Sequence, residues 1–513
     1  MERFIERHRD RVIGVLSGFD RVLFRGTLRS ISYLNGMCTF LHSHGILYKD
    51  FGDFAERLSG RIKRQAEAMA AAEGRPYRYL YSSGARKEDI ARQIAEADSI
   101  KEGLICILSA VEPCMSYQVR RDRERKQLVV VPHERKCLHL YFYYLDREFG
   151  FMHVRLQTWV PFSIQVCING REWLANRMQR AGIKFERREN CFTAIEDLSA
   201  AQEFMDRLAT RSWARVLNAF ARRVNPWIDR KAGLDLHGYY WSIREGEYAT
   251  DVMFRDVHTL REVYPRLVDH AIQHFTCQDV LRFLGRRTNC HFPGEVQSNL
   301  RRRPEGIRVK HVVEENSIKM YDKQGSVLRI ETTINNPRRF KVLRRATRKG
   351  KSTWAWIPMR KGIADIPRRV QLSRAANERY LEALSVVGEN APTHHLLDPV
   401  SQRVIRKDRP YRALRPISPE DADLFRAVLR GEFLVRGFTN AELRRQLLPE
   451  GEQDPARRRR ASGRITRWIL LLRAHGLVRK VSTTRYYRVT QKGQTIMTTA
   501  LRLRETNADK LVA

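Results

Sequence analysis

Two alternating runs, Leu138-His139-Leu140-Tyr141-Phe142-Tyr143-Tyr144 and Phe151-Met152-His153-Val154-Arg155-Leu156-Gln157, define the architecture of this chain. Their period of two is the spacing at which successive side chains of a β-strand point to opposite faces of a sheet. The residues between them, Asp146-Arg147-Glu148-Phe149-Gly150, are typical of a turn. We therefore predict a β-hairpin that belongs to an antiparallel sheet.

The segments around this hairpin change to helical spacing. Apolar residues recur with a helical period at 51–70, 86–98, 170–182 and 259–273. We predict a multidomain α+β protein, with helices packed on an antiparallel sheet and a winged helix at the C-terminus. Five segments are expected: a helix-rich region at 1–100, an α+β sheet domain at 101–200, a helical segment followed by strand hairpins at 201–345, a basic proline-bearing connector at 346–416, and a winged-helix domain at 417–513.

The charge of the chain favours a polyanionic partner. Its 513 residues include 95 Lys and Arg against 58 Asp and Glu, a formal net charge of +37. Such an excess is larger than solubility requires, and a compact fold resists it unless a polyanion such as nucleic acid balances it. The alternative is a basic surface that reflects an arginine-rich genome.

The clustering of the charge argues for nucleic acid. Between residues 338 and 369 the sequence has twelve Lys and Arg and a single acid, Asp365. Basic side chains that are gathered in this way can lie along a phosphate backbone. The predicted contacts in this stripe are Arg338, Arg339, Lys341, Arg344, Arg345, Arg348, Lys349 and Lys351.

Two other classes of protein are not expected. No window approaches the roughly 20 apolar residues of a membrane helix, and no apolar stretch follows the charged residues 1–7 as in a secretory signal. The eight cysteines are scattered and favour free thiols in a reducing compartment. We therefore expect a cytoplasmic protein without a membrane partner, and the sequence does not indicate its oligomeric state.

The C-terminal region has the pattern of three helices followed by a hairpin. Ser418 and Thr439 are suited to cap the first two helices, a third is expected at about 461–475, and runs 477–481 and 485–490 alternate as paired strands. This order of elements predicts a winged helix. Its predicted core is Leu424, Val428, Leu443, Ile465, Ile469, Leu472 and Val489.

The third of these helices contains the predicted DNA contacts. Arginines 457–460 precede its expected start, and a helix N-terminus flanked by arginines suits phosphate while its first turns can enter a major groove. The contacts expected here are Arg458, Arg459, Arg460, Arg464, Thr466 and Arg467. The phrase Leu472-Arg473-Ala474-His475-Gly476-Leu477-Val478 and the order of elements resemble bacterial winged-helix regulators of the MarR-like kind. Protein binding is the alternative role for such a module.

A second predicted hairpin contains candidate catalytic residues. Runs 318–323 and 327–334 flank the turn Gln324-Gly325-Ser326, and their alternation gives one apolar face and one polar face. The polar face includes Tyr321, Lys323, Arg329 and Glu331. This hairpin resembles the strands of plasmid and filamentous-phage rolling-circle replication initiators.

That resemblance implies a tyrosine-dependent DNA nickase. Tyr321 would attack a phosphodiester, Lys323 and Arg329 would stabilise charge, and Glu331 would bind a metal or orient a group. Mg or Mn would be the cofactor only under this hypothesis; His139 and His153 could also ligate a metal, and the metal ligands are otherwise unknown. The alternative is an ordinary sheet tyrosine beside a surface ion pair.

The first hairpin offers a further binding surface. Its alternation places Tyr141 and Tyr143 on one face and His153 and Arg155 on the matching face of the next strand. Aromatic and basic side chains on an open sheet can stack bases and contact phosphates, although aromatic residues are also simply good strand formers. The function expected is a nucleic-acid-binding protein of a mobile element or replicon, with DNA as the target. The alternatives are the nickase and a ribonucleoprotein component that binds structured RNA.

Overall fold

The computed structural model describes residues 1–229, 233–234, 236, 238–286, 294–303, 306–348, 351–385, 387, 393–406, 408–449, 454–482 and 484–507, and only the backbone of Arg348 and Lys351. Its helices are α1 Glu2–Arg7, α2 Arg29–Ser32, α3 Leu34–Ser43, α4 Phe51–Ala72, α5 Lys87–Ala97, α6 Gly170–Arg180, α7 Leu198–Thr210, α8 Trp213–Val224, α9 Val257–Gln273, α10 Cys277–Phe283, α11 Ile366–Leu384, α12 Thr393–Leu397, α13 Pro419–Val428, α14 Gly431–Arg436, α15 Asn440–Leu447, α16 Pro455–Ala474 and α17 Gln491–Glu505. The four helical segments expected from periodicity are all present.

Strands form the other half of the fold. They are β1 Val12–Thr27, β2 Tyr77–Tyr79, β3 Gly103–Asp122, β4 Gln127–Asp146, β5 Gly150–Gln157, β6 Ile164–Asn169, β7 Phe185–Arg188, β8 Cys191–Ile195, β9 Tyr240–Phe254, β10 Gln297–Arg303, β11 Gly306–Val313, β12 Asn316–Lys323, β13 Val327–Ile334, β14 Lys341–Arg348, β15 Lys351–Pro358, β16 Val404–Arg406, β17 Arg409–Tyr411, β18 Val478–Lys480 and β19 Tyr487–Val489. The largest sheet has eleven strands in the order β10-β11-β12-β13-β9-β1-β6-β5-β4-β3-β2. It is dominated by antiparallel pairs, as predicted, and β2 with β3 is a parallel exception.

The chain divides into two compact units, each built from separated stretches. Unit 1 comprises Met1–Ile13, Phe254–Ile330 and Ala375–Ala513, and unit 2 comprises Gly14–Met253 and Glu331–Arg374. The stretch 346–416, expected to be a connector, contains β15 and α11, and Tyr380 of α11 is fully buried. Among the described residues, no helix is both long and apolar enough to cross a bilayer.

Unit 2 contains the first predicted hairpin. Tyr141 pairs with Arg155 and Tyr143 with His153 across β4 and β5. The other face of this pair is apolar core, in which Leu140 and Val154 are fully buried. The period of two therefore assigned these side chains to the correct faces, although Tyr143 on the predicted binding face is itself buried.

The second predicted hairpin is formed by β12 and β13, which are neighbours in the sheet. Gln324 and Gly325 both have positive φ, 56° and 73°, which is the backbone of a tight two-residue hairpin turn. One expectation about it was wrong, because β13 is buried at every position, including Arg329 and Glu331 of the supposed surface face. A strand within a large sheet that is covered on both sides buries both sets of side chains.

The C-terminal elements match the predicted caps and extend beyond them. Ser418 caps α13, and Thr439 forms a capping box with Glu442 at the start of α15. The seven predicted core residues all belong to one buried cluster. Helix α16 begins at Pro455 rather than near residue 461, because Asp454 caps it and proline is favoured in the first turn. Arginines 458–460 are thus inside the helix, and α14 and α17 were not predicted.

Candidate nucleic-acid interface

A basic groove of about 1260 Å³ lies in unit 2. Strands β1, β5 and β9 form part of its wall, and residues 338–361 form another part. The basic side chains that line it are Arg25, Arg155, Arg244, Arg338, Arg344, Arg360 and Lys361. The aromatic residues that line it are Tyr33, Tyr117 and Tyr240.

Strand register explains why these arginines converge. Arg25 on β1 lies opposite Gln165 on β6, which in turn lies opposite Arg155 on β5. Residues opposite one another share a face of the sheet, and neighbouring strands are about 4.8 Å apart, so the two arginines lie about 10 Å apart on that face. Burial, and then the charges of Arg244 and Arg155, lower the pKa of Arg25. The groove therefore contains like charges that an anion would relieve.

Glu112 on β3 organises the part of the groove beside β4 and β5. Its carboxylate accepts hydrogen bonds from the Tyr141 hydroxyl at 2.7 and 2.8 Å and from Arg155 Nη2 at 2.6 Å. Lys87 Nζ lies 3.2 Å from the same carboxylate. Burial raises the pKa of Glu112, but the bond from Tyr141 and the charge of Arg155 outweigh burial and bring the pKa below its usual value. No local pattern pointed to Glu112, because its partners lie on three other elements, namely Lys87 on α5, Tyr141 on β4 and Arg155 on β5.

The four residues predicted on this hairpin have different environments. Arg155 lines the groove, whereas Tyr141 is half-buried and bound to Glu112. Tyr143 is 3% exposed and packs in a core with Ala91 and Ile94 of α5, so its ring offers no free face to a base. His153 lies 5.1 Å from the Tyr143 ring, and burial, with the charges of Arg21 and Arg155, lowers its pKa to about 4.

The basic stripe divides between the groove and an outer surface. Arg338 and Arg344 line the groove, and Nη1 of Arg344 lies 3.2 Å from the buried carboxylate of Asp365. Arg339, Lys341 and Arg345 are exposed. The structure describes no side chain for Arg348 or Lys351, and Lys349 lies outside the described residues.

The predicted C-terminal contacts form a separate basic surface, in unit 1. Arg459, Arg460, Arg464 and Arg467 of α16 line a cleft of about 820 Å³, and Arg458 is exposed on the same helix. The guanidinium of Arg464 lies 4.7 Å from the ring centroid of Trp468. Thr466 is exposed, but its hydroxyl donates to the Ser462 carbonyl and accepts from Asn440.

Of the four candidate catalytic residues, Tyr321 is partly exposed, whereas Lys323, Arg329 and Glu331 are buried, contrary to the polar surface face that was predicted. Tyr321 is half-buried, and the guanidinium of the fully buried Arg329 lies 6.0 Å from its ring centroid. Lys323 is 7% exposed. These three lie in unit 1, whereas Glu331 belongs to unit 2.

Glu331 is one of three carboxylates that meet in unit 2. Asp20 of β1, Glu247 of β9 and Glu331 of β13 have oxygens that all lie within 4.8 Å of one another. Asn190 Nδ2 donates to both oxygens of Asp20, at 3.0 and 3.2 Å. Carboxylate oxygens are the ligands that Mg²⁺ and Mn²⁺ prefer, so these residues could bind such a cation. The sequence signal for Asp20 and Glu247 is an acid within an otherwise strand-like run.

Comparison of the chain with protein-family models, with curated proteins and with solved structures gives no match in any of the three. The interpretation of both basic surfaces therefore depends on the chemistry of their residues.

Proposed function

We propose that the protein binds nucleic acid in the groove of unit 2. The observation that supports this most strongly is the convergence of seven basic side chains from β1, β5, β9 and residues 338–361 on one concave surface. Phosphate contacts supply most of the affinity of proteins for nucleic acid, and arginine matches phosphate in a bidentate geometry. Like charges held this close together favour a ligand with several negative charges.

The aromatic residues of the groove favour nucleic acid over an acidic peptide. The side chains of Tyr33 and Tyr240 are 66% and 38% exposed, whereas aromatic rings are usually more buried than this. The guanidinium of Arg29 lies 3.7 Å from the Tyr240 ring centroid. Exposed aromatic and guanidinium planes beside phosphate-binding groups allow bases to stack. An acidic peptide has no bases that could stack on these aromatic and guanidinium planes.

The second part of the proposal is that residues 417–513 act as a winged helix that contacts DNA. Its support is the exposed arginines 458–460, Arg464 and Arg467, which lie in the first two thirds of α16. The positive end of the helix dipole adds to these charges. DNA is the proposed target and structured RNA the alternative. A mobile element or replicon is the proposed setting, which follows from the resemblances alone.

The salt dependence of binding tests the proposal. Labelled single-stranded and duplex oligonucleotides would be titrated with the full chain at 50 to 300 mM salt. If about six phosphates are neutralised, the slope of log K against log salt should be about −4 to −5. Treating the purified protein with DNase or RNase before extraction would identify any nucleic acid it retains. Absence of binding at the lowest salt would overturn the proposal.

The nickase is retained as a second candidate, because Glu331, its predicted metal ligand, lies beside Asp20 and Glu247. The test is a covalent adduct between the protein and single-stranded DNA, sought on a denaturing gel with Mg²⁺ or Mn²⁺. If Tyr321 is the nucleophile, Tyr321→Phe should abolish the adduct and leave affinity unchanged. A wild-type protein that forms no adduct with either metal would exclude this candidate.

A further inference from the structure

The hairpin of β14 and β15 has one face that lines the groove and one that does not. Val342, Arg344 and Ile357 belong to the first face, and Arg344 and Ile357 line the groove. The register pairs Leu343 with Trp356 and Arg345 with Trp354, so these four side chains share the opposite face. We call these four residues the tryptophan face.

The apolar side chains of the tryptophan face are much more exposed to solvent than is usual for large apolar side chains. Trp354 and Trp356 are 63% and 66% exposed, and Leu343 is 45% exposed. All eight tryptophans of the chain are among the described residues. Of the other six, Trp468 is half-buried and five are at most 8% exposed. Two adjacent exposed indole rings are therefore a sign that this face binds another molecule.

The charge around the tryptophan face selects the kind of partner. The guanidinium of Arg345 lies 5.9 Å from the Trp354 ring centroid, and exposed Lys341 precedes Leu343 on the same face of β14. The described side chains of β14 and β15 include no acid. A cationic surface with two aromatic rings suits a ligand that has both flat rings and negative charges.

We propose that the tryptophan face binds unpaired nucleotides, with bases stacked on Trp354 and Trp356 and phosphates beside Lys341 and Arg345. This inference rests on the proposed function and specifies its substrate as nucleic acid that is at least partly single-stranded. Residues two apart on a strand are separated by about 6.7 Å. That separation is about twice the 3.4 Å spacing of stacked bases, so a base can lie against either ring. A duplex hides the faces of its bases, so only unpaired nucleotides can use both rings.

Fluorescence and affinity measurements on the full chain test this inference. The double variant Trp354→Ala/Trp356→Ala should bind a 20-nucleotide oligo-dT or oligo-U about 25-fold more weakly, since stacking contributes at least about fivefold per base. Its salt slope should be unchanged, because stacking releases no counterions, whereas Arg345→Ala should make the slope less negative by about 0.7. Oligo-dT should also quench tryptophan fluorescence in the wild type and much less in the double variant.

Three controls separate stacking from other effects. Leu128→Ala removes an exposed apolar side chain of unit 2 that belongs neither to the tryptophan face nor to the groove, and it should leave affinity unchanged. Trp354→Phe/Trp356→Phe retains aromatic rings and should restore most of the affinity. Blunt duplex DNA without unpaired ends should bind the double alanine variant and the wild type equally. The oligo-dT and oligo-U arms show whether DNA or RNA binds more tightly.

The outcomes distinguish this inference from the proposed function. A wild type that binds no nucleic acid overturns both. A wild type that binds single strands with a steep salt slope, together with a double variant of equal affinity, overturns only the inference. It is also overturned if the wild type sediments as a dimer that the double variant converts to a monomer, since a second copy would then occupy the face.

Discussion

Arg155 in the groove of unit 2 and Arg467 on α16 of unit 1 are both predicted phosphate contacts. They differ in whether another side chain holds the guanidinium in place. Arg155 is fixed by Glu112, and Arg344 in the same groove by Asp365. On α16, no described residue forms an ion pair or hydrogen bond with the side chains of Arg459, Arg460 or Arg467. The groove thus combines charge with defined geometry, while α16 supplies exposed charge on flexible side chains. We infer that the groove determines which ligand fits and that α16 mainly adds electrostatic attraction.

The largest expected effect comes from removing groove charges. Arg244→Ala/Arg360→Ala/Lys361→Ala should weaken oligonucleotide binding about 1000-fold, at roughly 1.5 kcal/mol for each charge-assisted contact, and make the salt slope less negative by about 2. The control Arg57→Ala/Arg64→Ala/Lys101→Ala lowers the net charge equally, at exposed positions of unit 2 outside the groove. Equal losses in the two triple variants would show that net charge alone matters.

Acid should destabilise the protein through a histidine beneath the groove. His139 is 1% exposed, and burial, then the charge of Arg155, lowers its pKa to about 4. Below pH 6.5 the unfolded chain binds a proton at His139 that the folded chain does not bind until about pH 4. The free energy of unfolding should therefore fall by up to about 3 kcal/mol across this window. Urea unfolding from pH 7.5 to 4.5 would measure the fall, and His139→Gln should make it smaller. An unchanged pH slope in the variant would contradict the assignment.

The arginines of α16 should have a smaller effect, because their side chains are exposed and flexible. Arg464→Ala/Arg467→Ala should weaken duplex DNA binding about tenfold and leave the helical circular dichroism signal unchanged. The matched control is Arg403→Ala/Arg409→Ala, which removes two exposed charges from the same unit. A loss as large as that of the groove triple variant would reverse the assigned roles of the two regions.

Glu112→Gln has the smallest expected effect on affinity, but the direction of the change distinguishes two explanations of binding. The substitution makes the groove more positive, yet it removes the carboxylate that fixes Arg155. If geometry matters more than charge, affinity should fall about fivefold, since Arg155 must be immobilised on binding. A rise in affinity, measured by the same titration, would mean that the groove behaves like α16.

Local patterns in the sequence were sufficient for the hairpins and caps. Alternation placed Tyr141 and Arg155 on a shared face, and Thr439 marked the start of α15. Burial on both faces of β13 was not predictable, because alternation indicates only that two faces differ. The stripe at 338–369 contributes Arg338, Arg344, Arg360 and Lys361 to the groove, and their contact with phosphate stays a prediction.

The remaining site residues come from distant parts of the chain. Arg25, Arg244 and Glu112 reach the groove or its border only because β1, β9 and β3 enter the same sheet. No local pattern encodes that arrangement. The exposure of Trp354 and Trp356 was likewise not predicted, because residues 346–416 were expected to be a connector and not to contain strand β15.

The carboxylate trio has a consequence for how the chain folds. Strands β3 and β4 pair from Asp122 with Gln127 outward, so their contacts close short loops and can form early. Asp20, Glu247 and Glu331 meet only after loops of more than 80 and more than 220 residues have closed. During synthesis the chain emerges from its N-terminus, so the strands that carry the first two acids must wait for β13. The trio therefore cannot assemble until residue 331 has been added, and its three carboxyl groups are kept apart until then.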